Sequence, residues 1–229
     1  MMRGPARPDF HHEMTPLSAP DPSPILKLAV TAGTLSPRLA SLLALQRAEE
    51  PETIVLLQEV AASDLIRGLE DGVYDVGIAL VATTTVFAMN AQPLWVDEMA
   101  LAVPLRSPLL AYPEVPLDAL LRYPLLQWCL RACDALSKQV AARFGPETNS
   151  VREVTSFDLL AVLVAAGFAV GIAPRSHIAR ARGWGVAMRP LANGPYLIGT
   201  QLLRKSDGSA RAVERFAERA VKVAATEAA

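Results

Sequence analysis

Residues Thr155–Pro174 (TSFDLLAVLVAAGFAVGIAP) constrain the fold more than any other stretch. Thr155, Ser156 and Asp158 supply oxygens that accept hydrogen bonds from the free N–H groups of a helix start. An apolar helix follows over Leu159–Ala166, and Gly167 stops it where the chain turns left-handed. Ala169–Ala173 is then a short apolar run ended by Pro174, the signature of a buried strand. The unit is loop, helix, turn, strand. Its helix start presents N–H groups suited to an anion.

The rest of the chain repeats this alternation. Ile25–Thr31 reads as a strand, Ala32–Thr34 as a small-residue turn and Leu35–Glu50 as a helix with Pro37 in its first turn. Thr53–Glu59 is a strand, Ser63–Asp71 a helix and Asp75–Val81 a strand. This β-α-β-α-β order implies a parallel sheet with helices on its faces. Phe87–Trp95 and Glu98–Pro104 read as two further strands. A second lobe begins near Pro104, with helices at Pro116–Leu121, Cys133–Phe144 and Ser176–Arg182 and strands at Pro124–Trp128 and Val151–Val154. The chain then returns through strands Val186–Arg189 and Tyr196–Arg204 and an amphipathic helix, Ser209–Ala225. The expected architecture is α/β, with two Rossmann-like lobes joined by two crossover strands. Its divisions are a flexible tail over 1–24, lobe I over 25–103 and 183–229, and lobe II over 104–182, with a ligand cleft between the lobes.

Composition excludes several function classes. A chain of 229 residues buries roughly 70% of its unfolded surface and builds a core without disulfides or metal. Its net charge of −1 and pI near 6.3 give no basic footprint for nucleic acid. The opening residues MMRGPARPDFHHEM hold no apolar run that reads as a signal peptide. The uncharged stretch between Leu159 and Arg175 is shorter than the ~20 residues of a membrane span. A cytoplasmic protein with no membrane partner is expected. His11, His12 and Glu13 lack a fourth ligand, so no metal is expected. No Gly-x-Ser-x-Gly elbow, phosphate loop or Cys/His cluster is present, so neither catalytic residues nor a cofactor are expected. His177 reads as a helix-surface residue, and Asp75 as a strand anchor.

In open α/β sheets ligands bind beyond the carboxyl ends of the strands. Four turns qualify: Thr31–Thr34, Ala61–Asp64, Trp128–Ala132 and Thr155–Phe157. Each offers small residues, hydroxyls or free N–H groups at a helix start, and together they suit a small carboxylate. Arg131 is the one cation among them, able to pair with a carboxylate through two parallel hydrogen bonds or simply to begin a solvated helix.

The Ser/Thr before the helix and the VAAG…GIAP run of 155–174 resemble the ligand-binding half of LysR-type transcriptional regulators. So does EVAASDLIRGLEDGVYDVGIAL over Glu59–Leu80. Segment order agrees from about Ile25 to Ala217. The resemblance implies the type 2 periplasmic-binding-protein fold and a small-molecule effector, carboxylate-bearing or aromatic, between the lobes. Taken with the four turns, it leads us to expect ligand contacts at Gly33, Thr34, Ala62, Ser63, Trp128, Cys129, Arg131, Thr155, Ser156 and Phe157. Ala62 departs from the Ser or Thr of many relatives, which favours a less polar effector. The family also implies a homodimer, with leucines of Leu35–Glu50 and Leu69 as apolar interface surface. DNA is contacted only through a winged helix-turn-helix module that this chain lacks. Two alternatives stand beside this reading: a stand-alone solute-binding protein of the same fold, and a thiol redox sensor. For the second, CLRAC over Cys129–Cys133 resembles the reactive segment of peroxide-sensing members, with Arg131 lowering the thiol pKa.

Overall fold

The computed structural model describes residues 24–82, 89–145, 151–205 and 210–226. The tail with His11, His12 and Glu13, the start of the Phe87–Trp95 strand and Ser209 lie outside them. Strand β1 (Ile25–Thr31) is flanked by parallel β2 (Ile54–Val60) and β3 (Val76–Ala82). Helices α1 (Pro37–Glu49) and α2 (Ala62–Glu70) make the crossovers. Ser36 caps α1 by accepting the Leu39 N–H, and Pro37 occupies the first turn, where its missing N–H costs nothing. Asp75 is the strand anchor expected: its carboxylate accepts the Lys27 N–H at 2.8 Å, and its own N–H donates back to the Lys27 carbonyl.

The segments expected as two strands, 87–95 and 98–104, form one. β4 (Asn90–Pro104) runs 15 residues, with a register shift between Pro93 and Trp95. Proline cannot donate to a ladder, so the strand bulges there and continues. Its first half pairs antiparallel with β9 (Leu197–Arg204), which pairs in turn with β3. Its second half pairs with β7 (Val170–Pro174) and β8 (Val186–Arg189). β5 (Leu125–Gln127) lies parallel to both β7 and β6 (Val151–Glu153). The strand order is β2-β1-β3-β9-β4-β7-β5-β6, with β8 on β4. β4 therefore belongs to two sheets and joins two α/β lobes. The chain was expected to return to the first lobe at 183, but β8 still pairs in the second sheet. The return falls between Arg189 and Leu197, where the Tyr196 carbonyl accepts the Met99 N–H.

Each sheet is covered on both faces. In the first lobe Leu28, Val30, Leu42 and Phe216 fill one side, and Leu65, Leu69 and Leu203 the other. In the second, helix α3 (Asp134–Phe144) contributes Leu136 and Val140 to one side, and α4 (Phe157–Ala165) contributes Leu160 and Val164 to the other. A Cβ on Gly171 would stand 2.6 Å from Leu160 Cδ2, so glycine is what lets α4 pack this closely on β7. Helix α6 (Arg211–Thr226) ties the returning chain to α1. Arg219 donates to Glu49, Glu50 and Gln46, and Arg215 also pairs with Glu50. The Arg215 hydrogen bond, with Arg219 behind it, pulls the Glu50 carboxyl down to about 2.

The leucines expected to form an exposed interface pack inside their own lobe. Leu39, Leu42 and Leu69 are buried, Leu43 is half-buried against the same core, and Leu35 is exposed. Edge strand β2 carries exposed apolar residues, Ile54, Leu56 and Leu57, each about half exposed. No helix among the described residues is long and apolar enough to cross a membrane.

Candidate functional site

Between the lobes lies a cavity of about 400 Å³. The first lobe supplies Ala32, Gly33 and Leu35 after β1, and Glu59 at the end of β2. The second supplies Trp128 after β5, the start of α4 (Thr155–Asp158), and one face of α5 (Arg175–Arg180) with the turn that follows. That face is His177, Arg180, Ala181 and Trp184. Their spacing of three, four and seven residues puts them on one side of a helix.

Five residues expected to contact a ligand line this cavity: Gly33, Trp128, Thr155, Ser156 and Phe157. Ser156 caps α4 by accepting the Leu159 N–H at 3.2 Å. The N–H groups of the first turn have no intrahelical partner and give this end of the cavity a positive character. Trp128, Phe157 and His177 form an aromatic cluster, with ring centroids 4.8 to 5.6 Å apart. Each is less than a tenth exposed.

His177 is thus not the surface residue expected. Burial, aided by the Arg180 charge, lowers its pKa to about 4 and keeps the ring neutral. Its Nδ1 lies 3.2 Å from the Ser176 hydroxyl. The Asp97 carboxylate of β4 accepts the Ser176 N–H, so α5 is pinned to the crossover strand. Arg180 donates to the Leu35 carbonyl at 3.3 Å, reaching from one lobe to the other.

The other five expected residues lie elsewhere. Thr34 is buried, and its hydroxyl donates to the Thr31 carbonyl at 2.7 Å. Ala62 and Ser63 are exposed at the start of α2 and do not line the cavity. Arg131 is 84% exposed and pairs with Glu153 at 3.1 Å on the outer surface. It does not offer its fork to the cleft. Cys129 sits behind the lining in left-handed backbone, φ 59°, with its thiol 3.6 Å from the Ala32 carbonyl. Burial, with the Glu153 and Glu59 charges, pushes this thiol up to about 12. That is the reverse of the activation expected from Arg131, whose charge is taken by Glu153. A Cβ on Gly33, itself at φ 88°, would meet Leu80 Cδ2 at 2.8 Å and Cys129 Sγ at 3.0 Å. The lobes therefore touch at Gly33, and a side chain there would force them apart.

Sequence reasoning missed Glu59, Asp158, His177, Arg180 and Trp184 as lining residues. The helical spacing of 177, 180, 181 and 184 was the available signal. Among the described residues, no group of three His, Cys, Asp or Glu side chains is arranged to hold a metal.

The architecture is that of a two-lobed, type 2 periplasmic-binding-like domain with its cavity at the lobe junction. Residues 20–225 match the LysR substrate binding domain model, and the chain belongs to that family. The BenM effector binding domain with its effector benzoate superposes at a TM-score of 0.71 and 18% identity, covering 89% of this chain and 93% of that one. Full-length BenM gives a TM-score of 0.71 at 20% identity, over 89% of this chain and 68% of the other. The reduced form of OxyR gives 0.70 at 24% identity, over 88% and 96%. These likenesses show the fold. No curated protein matches the sequence.

Proposed function

We propose that this chain binds a small carboxylate-bearing or aromatic effector in the cavity between its lobes, and that binding is its function rather than catalysis. The observation that carries the reading is the convergence on one cavity of a capped helix start, an aromatic wall and Arg180. The helix start and Arg180 suit a carboxylate, and the faces of Trp128, Phe157 and Trp184 suit an apolar or aromatic body. Benzoate, the effector of the BenM domain, has this chemistry. Gly33, Thr155 and Ser156 complete the proposed contacts.

In a LysR-type regulator the event passes to a DNA-binding module. We take the route to be altered geometry in a homodimer. Exposed Ile54, Leu56 and Leu57 on edge strand β2 support this, because an apolar sheet edge invites a partner. A thermal-shift screen of small carboxylates and aromatic acids tests the binding reading. A compound present at ~100-fold its dissociation constant stabilises the fold by roughly 2.7 kcal/mol. Arg180→Ala should cut that shift by about half or more at the same concentration. A screen in which no such compound stabilises the parent chain removes the proposal.

A further inference from the structure

The two walls of the interlobe cavity differ in chemistry. The first lobe gives it a single polar side chain. Ala32, Gly33 and Leu35 offer none, and the exception is Glu59 of β2. The Glu59 carboxylate accepts no hydrogen bond and forms no ion pair among the described residues. The second lobe offers the hydroxyls of Thr155 and Ser156, the Arg180 guanidinium and a second acid, Asp158, in the first turn of α4.

Charge then decides which acids suit the space. Burial keeps His177 neutral at pH 7, so one guanidinium stands against two carboxylates. Arg180 donates to the Leu35 carbonyl, which carries no charge and leaves the guanidinium cationic. The lining therefore carries a negative excess. A simple aromatic acid brings a further negative charge into it. Its carboxylate suits Arg180 and the N–H groups of α4, but its far end meets Glu59 with no donor to give. An acid that also carries an ammonium group adds no net charge and answers both walls. The ring faces of Trp128 and Trp184 favour a cation beside them.

Building on the effector reading above, we propose that the ligand is a zwitterion, with its carboxylate toward Arg180 and the start of α4, its ammonium toward Glu59 and an aromatic body between them. Aromatic amino acids and aminomethyl-substituted aromatic acids belong to this class. The acids do not by themselves make the site. The enclosed space, the aromatic wall and Arg180 do that, and Glu59 selects among the acids that fit.

Titration calorimetry of the whole chain with matched pairs tests the assignment. Each pair is an acid with and without the ammonium: L-phenylalanine and phenylpropionate, L-tryptophan and indolepropionate, para-(aminomethyl)benzoate and para-methylbenzoate. In at least one pair the ammonium-bearing member should bind about five- to tenfold more tightly. Glu59 is exposed, and solvent screening holds the gain to that range. Glu59→Gln keeps the shape, removes the charge and should bring the two members of that pair to equal affinity. Asp158→Asn serves as a second variant and should narrow the gap. Equal or tighter binding of the ammonium-free members to the parent overturns the zwitterion assignment and leaves the effector reading standing. A preference that survives intact in folded Glu59→Gln overturns the role given to Glu59. Absence of saturable binding by every member overturns the assignment, and the wider screen of acids then decides the effector reading separately.

Discussion

Two turns on the second lobe's side of the cleft look alike in sequence and differ in what they deliver. Thr155–Asp158 brings all four of its residues to the cavity wall. Trp128–Ala132 brings only Trp128, while Cys129 turns inward and Arg131 turns out to solvent. The backbone explains the contrast. The first turn enters α4 through an extended Ser156, φ −140°, so the helix axis aims at the cleft. The second passes through a left-handed Cys129 and a single tight helical turn at Leu130–Ala132 before α3 begins. That one residue redirects the chain, and the cation that follows it pairs with Glu153. A cation near a strand end therefore reaches the cleft only if the backbone between them runs on without reversing hand. Arg180, on the α5 face, meets that condition where Arg131 does not.

The contrast can be broken or sharpened by mutation. Gly33→Ala should cost the most, about 2–4 kcal/mol, because it adds left-handed strain to a clash with Leu80 and Cys129 where the Trp128 turn meets the first lobe. Urea denaturation measures it, and a loss under ~1 kcal/mol would mean that the lobes do not touch as described.

Acid should come next, through the wall that Phe157 shares with His177. The folded-state pKa of His177, about 4, lies below its ordinary 6.5, so the unfolded chain binds the extra proton first. Stability is then full above about pH 6.5 and falls by up to about 3 kcal/mol as pH drops toward 4. His177→Phe should flatten that part of the pH–stability curve. A parent and variant that lose stability in parallel over this range would place the titration elsewhere.

Arg180→Ala should weaken a carboxylate effector by about 1.5–3 kcal/mol in calorimetry. Ser156→Ala should lower stability by about 1 kcal/mol through loss of the α4 cap, read from the thermal midpoint. Arg131→Ala, the smallest effect, should cost under about 1 kcal/mol of stability, as an exposed ion pair does, and leave effector affinity unchanged. Weakened binding in Arg131→Ala with intact binding in Arg180→Ala would reverse the comparison.

The same contrast explains what could be read from sequence. The helix–turn–strand unit over 155–174 was legible because cap, apolar run, glycine and proline all agree. The β-α-β-α-β start and the Asp75 anchor were legible for the same reason. β4 was read as two strands broken at Val96–Asp97, where the Asp97 charge interrupts the apolar pattern, yet both residues pair with β9 and the ladder runs on. Cys129 was not legible either, since a left-handed cysteine carries no glycine to announce it. His177 was assigned to the helix surface from its place just after the strand end in PRSHIA, although its helical phase matches Arg180, Ala181 and Trp184. The burial of α1's leucines and the exposure of β2 depend on which strand ends the sheet, which periodicity does not encode.

The most direct test of the central claim is a co-crystal structure of the chain with the most stabilising acid from the thermal-shift screen. Density is expected between the lobes, with the carboxylate at the start of α4 or at Arg180 and the body against Trp128 and Phe157. A ligand found on β2 or on the outer surface beside Arg131 and Glu153, with this cavity unfilled, would contradict it.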